Sequence, residues 1–131
     1  MGDRALVIFT DNKGKEVSPT VYLHWGGDSV PQLLQKTADF MTGRFNDVQY
    51  GCARFIGLAH VEMDQTNLSL GVWNTDKELQ YVIKDYMENK DSESMKVLAE
   101  ASHGDAGLFI VDVSTYSWNC FGGYHSTVTL L

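Results

Sequence analysis

Residues 20–34 read TVYLHWGGDSVPQLL, and the reading of this stretch decides the fold. Val21, Leu23 and Trp25 alternate with Tyr22 and His24, the period-2 pattern of a strand with two unlike faces. Gly26-Gly27 end it, because glycine takes positive φ without a Cβ clash. Ser29, with Gln32 three residues later, reads as an N-cap and its capping-box partner. Pro31 falls in the first helical turn, where its missing N–H costs least. Val30, Leu33, Leu34, Ala38 and Met41 then recur at helical spacing, and Gly43 supplies the stop. A glycine turn entering a helix can also cradle an anion. Here there is no GxGxxG and no Walker lysine, and Asp28 stands where a phosphate would approach, so the turn is read as structural.

Outward from this unit, residues 5–9 (ALVIF) read as a first strand, joined to the second by a turn with Asn12, Lys13 and Gly14 at its tip. Asn46 or Asp47 can cap a second helix, with Val48, Cys52, Phe55, Ile56, Ala59 and Met63 on one face. Gly51 and Gly57 weaken that helix by about 1 kcal/mol each, so it depends on tertiary packing. Residues 67–73 (NLSLGVW) return to alternation, with Leu68, Leu70 and Val72 together. Thr75 and Glu78 form a second capping-box pattern before the stripe Leu79, Val82, Ile83, Tyr86 and Met87. A short helix is predicted within 91–102, strands at 108–113 and 116–121 around a turn near Ser114-Thr115, and an edge strand in 126–131.

This order predicts one α+β domain over 1–131: a mainly antiparallel sheet of about five strands with helices packed on one face. Val21, Leu23, Trp25, Leu33, Leu34, Phe55, Ile56, Leu70, Phe109 and Val111 are the expected core. Trp25 and Trp73 both close predicted strands, which points to packing at one sheet end.

With 44% apolar residues and two prolines, the 131-residue chain is not disordered in composition, and no run approaches a membrane span. No secretory signal pattern is visible, and Cys52 and Cys120 lie far apart without a CxxC, as in a cytosolic protein with buried thiols. A formal net charge of −7 disfavours sequence-independent nucleic-acid binding and suits a basic partner. Asp85, Glu88, Asp91 and Glu93 fall outside the apolar stripe of the third helix and at its exit. Glu88, Asp91 and Glu93, with Trp25 and Trp118, are therefore the expected binding residues.

The histidines do not pair at HxxxH spacing. His24 (HWGGD) and His103 (HGDAG) each sit near a glycine and an aspartate, Asp28 or Asp105. Were the two loops to meet, two imidazoles and two carboxylates could bind a divalent metal or run acid–base hydrolysis. The competing reading of HGDAG is a helix-to-strand turn with an Asx-type bond, and it is preferred. No catalytic residue, metal or cofactor is assigned. There is no GxSxG elbow.

RALVIF, SPTVYLHW, ARF in the second helix, LSLGVW and HGDAGLFIVD occur in this order. In that respect the chain resembles small uncharacterised proteins of phages and bacterial mobile elements, over most of its length except residues 76–102. Their pattern carries an asparagine between the tryptophan and the glycines that is absent here, so the loop at Gly26 differs. The resemblance implies no catalytic residue. It implies a setting in which small acidic proteins counter host defences. The expectation is a phage-encoded inhibitor of a bacterial defence system, such as a CRISPR effector, acting in the host cytoplasm on a basic protein surface. The alternatives are a protein that sequesters a nucleotide signal, a metal-dependent hydrolase on His24, Asp28, His103 and Asp105, or a structural role in a phage particle.

Overall fold

The computed structural model describes residues 2–63, 69–102 and 105–128. Its elements are β1 (Ala5–Thr10), β2 (Thr20–Leu23), α1 (Val30–Phe40), α2 (Val48–Glu62), β3 (Gly71–Trp73), α3 (Lys77–Asn89), α4 (Ser92–Ala101), β4 (Gly107–Asp112) and β5 (Ser117–Phe121). The strands form one sheet in the order β3-β2-β1-β4-β5. Three pairings are antiparallel, as predicted from the α+β pattern, but the central one, β1 with β4, is parallel.

The helices are not gathered on one face. Val7, Phe9, Val21, Leu23, Phe109 and Val111 point toward α1 and α2, where they pack with Leu33, Leu34, Val48 and Phe55. Leu6, Ile8, Leu108, Ile110 and Phe121 point the other way, against Ile83 and Tyr86 of α3 and Leu98 of α4. The reason lies in β1 and β4, whose near-continuous apolar runs are buried on both sides. Two buried faces require two layers of helix.

The element ends follow local chemistry, with two departures from the expected caps. Asp47 is extended and its side chain accepts from the Tyr50 N–H, so the α2 cap is as expected. Ser29 is already helical in φ and ψ because a one-turn 3-10 helix (Gly27–Ser29) precedes α1, so its hydroxyl makes no capping bond. That turn opens at Gly26, whose φ of 85° suits glycine. At α3 the cap is Asp76, which accepts from the Leu79 N–H. Thr75 is instead buried, bonded to the Thr20 hydroxyl and donating to the Ser18 carbonyl.

Trp25 lies outside the core, 37% exposed, because β2 ends at Leu23 and the chain turns away before the alternation is complete. Trp73 and Val72 on the edge strand β3 are exposed as well, while Leu70 is half-buried against the core. The predicted Leu68 lies outside the described residues. Residues 126–128 form no strand; Thr127 covers the β5 edge by accepting from the Cys120 N–H and donating its own N–H to the Cys120 carbonyl. The rest of that predicted strand lies outside the described residues. Both cysteines are buried free thiols, and burial pushes Cys120 up to about 12. Among the described residues no helix is long and apolar enough to cross a membrane.

Candidate binding surface at one end of the sheet

The strand directions gather four segments at one end of the sheet. β1 begins there and antiparallel β2 ends there; β4, parallel to β1, begins there and β5 returns to it. Asp3-Arg4, His24 to Asp28, Asp105-Ala106 and Gly122 to His125 are thereby brought together. Backbone bonds tie them: Asp3 N–H to His24 O (2.9 Å), Gly27 N–H to Asp3 O (2.8 Å), Ala106 N–H to Arg4 O (2.9 Å) and Tyr124 N–H to Asp105 O (2.8 Å).

Side chains complete the lattice. Asp3 accepts from the Asp28 N–H at 2.9 Å and from the Tyr124 hydroxyl at 2.6 Å. Asp105 accepts from both the backbone N–H and Nε of Arg4, at 2.9 and 3.1 Å. Those two bonds hold its carboxyl below the usual carboxylate range, with the charge of Arg4 adding to them. Tyr124 is pushed the other way, by partial desolvation of its phenol, by the bond to Asp3 and by the charges of Asp3, Asp28 and Asp105. Three carboxylates therefore act on one half-exposed phenol.

From β3 across β2 and into the loop that follows it runs a row of rings. Trp73 lies 5.8 Å from Tyr22, Tyr22 6.1 Å from His24, and His24 5.2 Å from Trp25, centroid to centroid. The Tyr22 hydroxyl and His24 Nδ1 are 2.8 Å apart and hydrogen-bonded. The antiparallel register sets Thr20 opposite Trp73 and Tyr22 opposite Gly71, so the indole covers the side-chain-free Gly71 and meets Tyr22. Beside the row is an open cleft of about 400 Å³ lined by Gly2, Arg4, His24 and Asp105.

Of the expected metal-binding set, His24, Asp28 and Asp105 do come to the same end of the sheet. His103 lies outside the described residues. The three are engaged separately: Asp105 with Arg4, His24 with Tyr22, and Asp28 through its backbone with Asp3. Among the described residues no three His, Cys, Asp or Glu side chains are grouped to hold a metal ion. Of the expected binding residues, Glu88 and Glu93 are exposed on α3 and α4. Asp91 caps α4, its carboxylate accepting from the Ser94 N–H and hydroxyl. Trp118 packs on Phe109 at 5.1 Å, half-buried. Comparison with family models, with curated proteins and with solved structures gave no match.

The carboxylates carry a pH signature. Asp105 and Asp91 have folded-state values depressed by the hydrogen bonds they accept. Their contribution to stability is present above the ordinary carboxylate value of about 4 and is lost as pH falls below it through the depressed folded values. Asp105→Asn is expected to lower Tm at neutral pH, with the difference from the parent shrinking as pH falls below about 4. A Tm difference that stays constant across that window would show that the Arg4 bonds do not discriminate between the two protonation states.

Proposed function

We propose that the chain is a binding protein that covers a basic protein surface, and that the surface belongs to a nucleic-acid-binding component of a bacterial defence system. The observation that carries this reading is unneutralised negative charge. Of 17 acidic residues, three take part in ion pairs among the described residues: Asp105, Glu62 and Asp47. Asp85, Glu88 and Glu93 face solvent on α3 and α4 with no ion pair among the described residues. Such charge draws a basic partner in and repels phosphates. The resemblance to phage and mobile-element proteins supplies the biological setting. The nucleotide-sequestering alternative has the 400 Å³ cleft in its favour, but the cation in that cleft, Arg4, is already held by Asp105.

Competition tests the reading. A basic partner captured by this chain is expected to lose its nucleic acid, and its association rate with Glu88→Lys/Glu93→Lys is expected to fall several-fold at low salt while dissociation stays unchanged. Asp91 is left intact because it caps α4. A partner that holds nucleic acid and this chain at once would count against the proposal.

A further inference from the structure

We infer that the ring row Trp73-Tyr22-His24-Trp25, with the carboxylates at its end, is the contact surface that receives arginine and lysine side chains of a protein partner. This rests on the reading above that the partner is basic, and it assigns where the short-range contact lies.

The argument begins with coverage. α3 and α4 pack over Leu6, Ile8, Leu108, Ile110 and Phe121, that is, over β1, β4 and β5, and reach Tyr22 only at the margin of their cluster. Among the described residues, no helix covers the part of this face carried by β2 and β3 beyond that margin. It is there that the rings lie, half-buried at Tyr22 and His24 and open at Trp73 (46%) and Trp25 (37%). Two tryptophans at the ends of one continuous row make an exposed aromatic surface rather than scattered apolar residues. Rigid aromatic side chains of this kind anchor interfaces.

Charge selects the occupant. Ring faces attract cations, and a carboxylate beside them adds a charge-assisted hydrogen bond. Asp28 is exposed, and its carboxylate makes no hydrogen bond or ion pair among the described residues. Asp3 and Asp105 lie close enough to act with it on Tyr124. Unpaired bases could stack on the same rings, but their phosphates would meet these carboxylates with Arg4 already committed to Asp105. Guanidinium and ammonium groups meet no such penalty. The molecule thus divides recognition: the acids of α3 and α4 supply the long-range field, and the sheet end supplies the hold.

The test uses octa-arginine, octa-lysine and oligo(dT) as probes, read by calorimetry at low and high salt. The parent is expected to bind the two cationic peptides at low salt and oligo(dT) far more weakly. Trp25→Ala and Asp28→Lys, both at exposed positions, are each expected to weaken octa-arginine binding by about ten-fold. The control Asp39→Lys removes as much negative charge as Asp28→Lys, at an exposed site on α1 away from both acidic regions, and is expected to stay within about two-fold of the parent. No peptide binding, binding by Trp25→Ala or Asp28→Lys as tight as the parent's, a loss in the control as large as in Asp28→Lys, or tighter binding of oligo(dT) would each overturn the inference. Should Trp25→Ala hold a basic protein as tightly as the parent does, the inference fails and the proposed function stands. Should the peptide effects appear while a basic partner keeps its nucleic acid, the contact surface stands and the proposed function fails.

Discussion

Gly51→Ala is expected to destabilise the protein by about 1–3 kcal/mol, although alanine is the better helix former. A Cβ at this position would fall on the hydroxyl of Tyr116, and something would have to move. Neither side gives easily. Gly51 sits in the first turns of α2, and Tyr116 is buried against Phe9 and Phe45 with its backbone at a φ of 58°. The Tyr116 hydroxyl is itself buried without a hydrogen-bond partner among the described residues. Removing it leaves the ring carbon 3.4 Å from the new Cβ, an ordinary contact. The double variant Gly51→Ala/Tyr116→Phe is therefore expected to regain most of the loss, a coupling that a double-mutant cycle in urea measures directly. Gly57 is the internal control. Nothing stands within 4 Å of its would-be Cβ, so Gly57→Ala is expected to stabilise by about 1 kcal/mol. If the two glycines respond alike, the Tyr116 contact does not decide the packing of α2.

Phe55→Ala is expected to cost about 3–5 kcal/mol, through lost transfer energy and the cavity left behind. Phe55 is fully buried and meets Phe9 at 5.6 Å, joining α2 to β1 near its C-terminal end. Its neighbour Ile56 is only half-buried against the same cluster, and truncation there should cost clearly less. Denaturant titration would give both values. A loss below about 1 kcal/mol for Phe55→Ala would mean that α2 is not seated on the sheet as described.

Much of this architecture could be read from local pattern. The hydrophobic periods placed both long helical stripes, the Asp47 cap and the β4–β5 hairpin. What local pattern does not carry is partner choice. The apolar runs in residues 5–9 and 108–113 read the same whether the two strands pair parallel or antiparallel, so local pattern does not carry the central pairing. The second helical layer, by contrast, had a signal. Unbroken apolar runs in ALVIF and LFIV exceed what a one-sided sheet needs. The α3 cap falls one residue past Thr75, at Asp76: both side chains suit the position, and only the burial of Thr75 separates them. At the sheet end, His24, Asp28 and Asp105 were visible as loop residues rich in chemistry. Arg4, which binds Asp105, was not, because the two lie about a hundred positions apart. Trp73 joined the ring row through cross-strand register, which no local window contains.

The parallel β1–β4 pair also shapes how the chain is made. β1 can form its hairpin with β2 as soon as residue 23 has emerged, yet its other edge waits for a strand about a hundred residues downstream. At roughly 5–20 residues per second, a ribosome needs on the order of 5–20 s to deliver it. Through that interval one edge of β1 has no strand to pair with, and the layer of α1 and α2 lacks Phe109 and Val111 beneath it. Synthesis therefore produces a long-lived nascent chain that is sticky at its centre and closes late. A chain shortened before residue 107 should never leave that state, so ribosome-bound fragments up to that point should stay sensitive to protease and open to chaperones.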